Sequence, residues 1–312
     1  MPAGNEREFT GGKTVVEHWE DAKEKCRASR ERGEIEYPTG LNFLDEATGG
    51  LKKGELWIIA GKSGNGKTSL ALQFIDNFTK NDKHSVLFIT LEMKGWELML
   101  RHYAAFSGQK FFDLLIGKVE IDPEIEDRFA KELAKRDYEI VEAGYNIQEL
   151  AKIIKTYYAN KKPDVIFIDF IQLIEWKRFK EERIAITEYI RQIKEWANKY
   201  EIAFVIVSQL RRPPSGSNYQ RDPDIVDLKG TGALEQMADK VILIYRKDTI
   251  NEKDEIVESK HYIHLAKNRQ GRMIKKEVFF KGDIYRFFDL DSREAKPEGV
   301  DKVVSEFGGE VV

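Results

Sequence analysis

The run Gly61-Lys62-Ser63-Gly64-Asn65-Gly66-Lys67-Thr68 follows the apolar segment Leu56-Trp57-Ile58-Ile59-Ala60 and opens directly into a helical pattern. A glycine-rich turn between a buried strand and a helix aims successive backbone N–H groups, and the positive end of the helix, at one point, where a phosphate is held. Within this P-loop, Lys67 is expected to reach the β- and γ-phosphates of a nucleoside triphosphate, and the Thr68 hydroxyl to ligate Mg²⁺. The expected cradle runs from Gly61 through Ser69.

Further short apolar runs lie at Val86–Ile89, Val165–Ile168, Ala203–Val207 and Val241–Ile244. Between them come helical stretches at Trp96–Gly108, Ile125–Lys135, Ile147–Asn160 and Ile184–Tyr200. Fully apolar strands alternating with helices predict an α/β fold, a mostly parallel sheet covered on both faces. After Tyr245 the helical patterns stop, and His261–Ala266, Lys275–Phe280 and Ile284–Phe288 read as an antiparallel extension of that sheet. Residues 1 to about 12 read as a mobile tail, Thr14–Arg32 as an amphipathic helix with Cys26 half-buried, and the stretch from about 292 as a flexible tail. The helix either packs on its own domain or docks on a neighbouring subunit. The expected domains are therefore 1–36, a tail and helix, then 37–291, one ATP-binding α/β domain, then the tail 292–312.

Composition narrows the function classes. A net charge of −3 argues against a protein that coats nucleic acid over its whole exterior, but leaves room for a local basic loop. A single cysteine leaves no intramolecular disulfide and fits a reducing cytosol. The five histidines show no metal-ligand spacing, so no zinc is expected. No run approaches the roughly 18 continuous apolar residues of a membrane span, so a cytoplasmic chain with no membrane partner is expected.

A second Mg²⁺ ligand is needed beside Thr68. Asp169 ends the run Val165–Ile168 and so projects from the carboxyl edge of a central strand, where phosphates bind. Glu92, just beyond the run that starts at Val86, would project from the same edge as a base that orients water.

Together, Gly61–Thr68, Thr90-Leu91-Glu92-Met93, Ile168-Asp169-Phe170-Ile171-Gln172-Leu173, Ser208-Gln209-Leu210-Arg211-Arg212, Asp227–Gln236 and Ala266-Lys267-Asn268-Arg269-Gln270-Gly271 resemble, in order and spacing, the RecA-like C-terminal motor domain of DnaB-family replicative helicases. The resemblance covers roughly residues 38 to 290, and implies that the helix in 1–36 is a linker and the domain 37–291 a motor. It implies a hexameric, ring-shaped, ATP- and Mg²⁺-dependent DNA helicase that moves on single-stranded DNA, 5′ to 3′, with ATP sites shared between subunits. It implies Glu92 as catalytic base, Asp169 as the Walker B aspartate and Gln209 as the γ-phosphate sensor. Lys267 and Arg269 look like the pair that reaches into a neighbour's site, with Arg269 as the finger. The DNA-facing loops would carry Lys177, Arg178, Arg211, Arg212 and the run Lys229-Gly230-Thr231-Gly232; a glycine-rich backbone with a cation can grip a phosphate closely. Phe170, Trp176 and Phe179 either stack on bases or belong to the core. The family also meets a loader or primase, but here only residues 1–36 precede the motor, so the expectation is a minimal phage or plasmid helicase or a chain lacking its N-terminal domain. The alternative is a RecA- or KaiC-like ATPase of recombination or regulation that does not separate strands.

Overall fold

The computed structural model describes residues 13–32, 35–80, 84–175, 179–211, 221–228, 232–250 and 256–290. The tails read at 1–12 and 292–312 lie outside them. The chain forms two compact units, 1–36 and 37–312.

In the first unit, helix α1 spans Val15–Arg32. Its start is written in Thr14 and Glu17: the Glu17 carboxylate accepts from the Thr14 N–H at 2.6 Å, while the Glu17 N–H donates to the Thr14 hydroxyl at 3.3 Å. This reciprocal pairing satisfies donors that a helix end leaves open. Cys26 is exposed, not half-buried as its neighbours suggest, because a lone helix has no second layer within its own unit.

Among the described residues, the second unit is built on a nine-stranded sheet: β1 (Leu56–Gly61), β2 (Val86–Thr90), β3 (Tyr138–Glu142), β4 (Val165–Asp169), β5 (Ala203–Gln209), β6 (Lys240–Ile250), β7 (Ile256–Asn268), β8 (Ile274–Lys281) and β9 (Arg286–Asp289). The strand order is β3-β2-β4-β5-β1-β6-β7-β8-β9. Pairing is parallel from β3 to β6 and antiparallel from β6 to β9, so β6 joins the two halves. The helices are α2 (Asn42–Thr48), α3 (Lys67–Phe78), α4 (Gly95–Ser107), α5 (Phe111–Leu115), α6 (Pro123–Leu133), α7 (Ile147–Asn160), α8 (Glu182–Tyr200) and α9 (Gly232–Met237).

Alternation along β1 divides the core in two. Trp57 and Ile59 pack with Phe74, Phe78, Phe88 and Phe167 on the α3 face, while Leu56, Ile58 and Ala60 pack with Ile190, Ile193 and Trp196 of α8 on the other. Both faces are covered, which is why these strands read as unbroken apolar runs. Each fully buried Ile, Leu or Phe contributes roughly 1.5–3 kcal/mol of transfer free energy. Strand β3 gave no such signal: Tyr138-Glu139-Ile140-Val141-Glu142 is a half-buried edge strand with charged residues interleaved. Helix α6 shows local encoding, with Asp122 accepting from the N–H groups of Glu124 and Ile125 and Pro123 in the first turn.

Candidate nucleotide site

Strand β1 delivers the chain to Gly61, and α3 takes it away from Lys67. Gly61 lies so close to β6 that a Cβ would sit 2.6 Å from the carbonyl oxygen of Ile244. Asn65 closes the turn, its N–H donating to the Lys62 carbonyl at 3.3 Å and its side-chain amide to the Ile244 carbonyl at 3.4 Å. Gly64 and Gly66 take φ of 81° and 86°, the region glycine enters without strain. The loop thus curls over the N-terminus of α3, where unpaired N–H groups and the helix dipole favour an anion.

A cavity of about 620 Å³ opens there. Of the residues singled out in the sequence, Ser63, Gly64, Gly66, Lys67, Thr68, Ser69, Glu92, Asp169 and Gln209 line it. Gly61, Lys62 and Asn65 do not line it. The Thr68 hydroxyl donates to Asp169 Oδ2 at 2.7 Å, joining α3 to the end of β4. Lys67 Nζ donates across the loop to the Lys62 carbonyl at 3.0 Å. Burial lowers the Lys67 pKa, against the pull of the Asp169 and Glu92 charges. Burial pushes Asp169 up to about 6, assisted by Glu92 and opposed by Thr68 and Lys67. A desolvated carboxylate beside a hydroxyl is a set of hard oxygens that suits Mg²⁺, which takes one or two protein ligands and completes its shell with phosphate oxygens and water.

The loop residues divide differently. Leu210 and Leu228 form an isolated bridge, and the Arg211 N–H donates to the Asp227 carbonyl at 2.8 Å, so the segment after Gln209 and the segment entering Lys229 start side by side. Arg211 is exposed and Gly232 starts α9. Trp176, Lys177, Arg178, Arg212, Lys229, Gly230 and Thr231 lie outside the described residues. Phe179 meets Tyr189 edge-on at 5.7 Å and packs on the α8 core, and Phe170 packs on the opposite core while also reaching the cavity wall.

Lys267 and Arg269 are not at this cavity. In the register of β6 and β7, Lys240 pairs with Asn268, and β1 pairs Trp57 with Lys240 and Gly61 with Ile244. Arg269 therefore lies beside the start of β1, its N–H donating to the Asp239 carbonyl at 3.1 Å. The P-loop is at the other end of that strand, about 16 Å away at roughly 3.3 Å per residue.

The sequence model of the DnaB-like helicase C-terminal domain matches residues 37–289. This chain belongs to that family. The replicative DNA helicase DnaB of Treponema pallidum is 29% identical over 255 residues, covering 80% of this chain but 55% of that protein, so the chain spans about half of such a relative. A structure titled "ATPase Domain of G40P" superposes with a TM-score of 0.76 at 22% identity, covering 90% of this chain and all of that one. A KaiC-like protein of Pyrococcus horikoshii gives a TM-score of 0.54 at 21% identity over 81% of this chain and 97% of its own. The fold is the RecA-like ATPase fold, with its antiparallel extension.

Three features of this DnaB-like domain escaped the sequence reading. Arg101 of α4 lines the cavity and lies 4.5 Å from the Tyr285 ring and 5.6 Å from the Phe111 ring. Tyr285 and Phe280 bring the C-terminal antiparallel strands to the same cavity. Gln172 ties β4 to β5: its amide donates to the Ser208 hydroxyl at 2.7 Å and its carbonyl accepts from the Gln209 N–H at 3.2 Å. Arg101 follows Glu92 on the very next helix, so α-helical geometry could have suggested it. Nothing local marks Tyr285 as a wall of a P-loop cavity.

Proposed function

We propose that this chain is the ATP-driven motor of a replicative DNA helicase, which hydrolyses ATP with Mg²⁺ and moves along single-stranded DNA, 5′ to 3′, as a hexameric ring. The observation that carries the proposal is the division of groups between two sheet edges: Lys67, Thr68, Glu92, Asp169 and Gln209 face one cavity, whereas Arg269 stands at the opposite end of β1. A residue so placed cannot serve its own γ-phosphate, so a finger role requires a second subunit.

In this reading the P-loop N–H groups and Lys67 hold the phosphates, and Glu92 orients the attacking water and takes its proton. Thr68 and Asp169 would hold Mg²⁺, which neutralises charge on the β- and γ-phosphate oxygens when bound. Gln209, linked through Gln172 to the end of β4, senses the γ-phosphate and passes its state to the segments that begin at Arg211 and Lys229, which grip DNA. Arg269, with Lys267, reaches a neighbour's γ-phosphate, where a guanidinium is worth roughly 10³–10⁵ in rate. Such a motor works in the cytosol, with a loader or primase as partner. No described helix is long and apolar enough to cross a membrane.

The test is steady-state ATP hydrolysis with and without single-stranded DNA, followed by strand displacement on a forked duplex, with Lys67→Ala as control. DNA-stimulated turnover and unwinding, both lost in Lys67→Ala, are expected. Stimulated turnover without unwinding would favour the RecA- or KaiC-like alternative. Undiminished hydrolysis by Lys67→Ala would remove the P-loop assignment.

A further inference from the structure

The sheet edge that carries Arg269 is organised around one carboxylate. Asp239 lies between α9 and β6, with its side chain 13% exposed. Its Oδ2 accepts from the Leu56 N–H at 2.8 Å and from Lys194 Nζ of α8 at 2.6 Å. Its Oδ1 accepts from Arg269 Nη1 at 3.3 Å, and Arg269 Nη2 donates to the Gln236 carbonyl at 2.8 Å. The main chains are joined too, with the Asp239 N–H donating to the Leu56 carbonyl at 2.8 Å and the Arg269 N–H to the Asp239 carbonyl. Lys194 reaches the Gly54 carbonyl at 3.0 Å as well, which fixes the carboxylate from a third side.

An exposed ion pair is usually worth little, because both ends are long, mobile and hydrated. This one is asymmetric. The acceptor is only 13% exposed and is held by β1 and α8, whereas the arginine side chain is 48% exposed. The carboxylate cannot follow the guanidinium, so the guanidinium follows the carboxylate.

We propose that Asp239 is the positioning residue for Arg269, holding its guanidinium extended along the sheet edge for a neighbouring subunit's nucleotide, with Lys194 holding Asp239 in place; this rests on the reading of Arg269 as a finger supplied in trans. An unrestrained arginine has about 2 kcal/mol of rotamer entropy to lose on reaching a phosphate. Docked on Asp239 and Gln236, it has lost part of that before the subunits meet. Because Asp239 stands about 16 Å from its own P-loop at strand spacing, its removal acts on turnover at the neighbour's site and not on ATP binding at its own.

Asp239→Asn keeps the size and an oxygen for the Leu56 N–H while removing the charge. The measurement is DNA-stimulated ATP hydrolysis by Asp239→Asn, Asp239→Glu and Arg269→Ala, each alone and each mixed with Glu92→Gln protein. A roughly 10- to 100-fold loss of kcat in Asp239→Asn is expected, as for a misplaced catalytic group, with KM for ATP little changed. Glu92→Gln subunits, which carry an intact Arg269 edge, restore part of that turnover, as they do for Arg269→Ala. Asp239→Glu recovers most of the rate on its own. Should Asp239→Asn fail to fold, Lys194→Gln carries the same test, with a smaller loss of kcat that mixing again restores. Wild-type turnover in Asp239→Asn, or a loss that mixing does not restore while it does restore Arg269→Ala, overturns the positioning role alone. Failure of mixing to restore Arg269→Ala overturns the finger in trans and the positioning role with it.

Discussion

Gly66 holds φ at 86°, and a Cβ built there would come within 2.7 Å of Phe287 Cζ and 3.1 Å of Phe280 Cζ. Two costs therefore meet at one residue: a backbone conformation that disfavours L side chains by roughly 1–2 kcal/mol, and a collision with β8 and β9. The rings can give way, but the backbone cost is relieved only by moving the N–H groups that face the cavity. Gly66→Ala is accordingly expected to lower nucleotide affinity by about tenfold or more, since about 1.4 kcal/mol is one decade. Titration with a fluorescent ATP analogue checks this, and wild-type affinity would show that the loop tolerates the methyl group. The same contacts explain how the C-terminal strands bear on the phosphate loop, with Phe287 packed against Gly66 and its carbonyl accepting from Gln73 of α3 at 3.1 Å.

Helix α3 begins at the P-loop and ends in a buried ionic cluster. Near its C-terminus Asp76 meets the His102 ring of α4 and, at 2.6 Å, Arg136 Nη1 just before β3. Burial alone would raise the Asp76 carboxyl, but the His102 and Arg136 charges outweigh it and hold the pKa at about 2, below its ordinary 3.8. Between those two pH values the folded chain binds fewer protons at Asp76 than the unfolded chain does. Its stabilising contribution is therefore complete above about pH 4 and is lost as pH falls towards 2. Removing one partner of a buried ion pair costs about 3–5 kcal/mol, because the other is left uncompensated. Asp76→Asn should unfold at lower urea at pH 7, with its deficit shrinking as pH falls from 4 towards 2. A deficit constant across that window would mean that Asp76 contributes through packing. Through this cluster α3 is tied to α4, which carries Arg101 into the P-loop cavity.

At the scale of the whole molecule, the parallel sheet separates two working edges. The carboxyl ends of β1, β4 and β5 present Gly61, Asp169 and Gln209, and the opposite edge presents Asp239 and Arg269. In the proposed ring, the edge that carries Arg269 in one subunit meets the P-loop edge of the next. A chain of net charge −3 has no general attraction for DNA, so under the proposed function a few loop cations carry the contact. Lys229→Ala is expected to weaken single-strand binding and to reduce the slope of log K against log salt by about one unit, one phosphate contact's worth. Measuring binding at several salt concentrations tests this, and an unchanged slope would take Lys229 off the DNA path.

What could be read in the sequence was local or periodic. The P-loop residues encode their own turn, and the buried strands announce themselves because a strand covered on both faces has no polar position left. Asp169 and Glu92 followed from those strands, since a side chain at a strand's end must point past the sheet edge. The rest depended on which distant segments meet. Tyr285 and Phe280 reach the cavity only because β8 and β9 pair back toward α3, and β3 is a strand only because β2 offers it an open edge. The position of Arg269 is the clearest case. Its motif is local, but its distance from its own P-loop is decided by the antiparallel pairing of β7 with β6. Hydrogen bonding between strands sets that register, and no spacing along the chain records it.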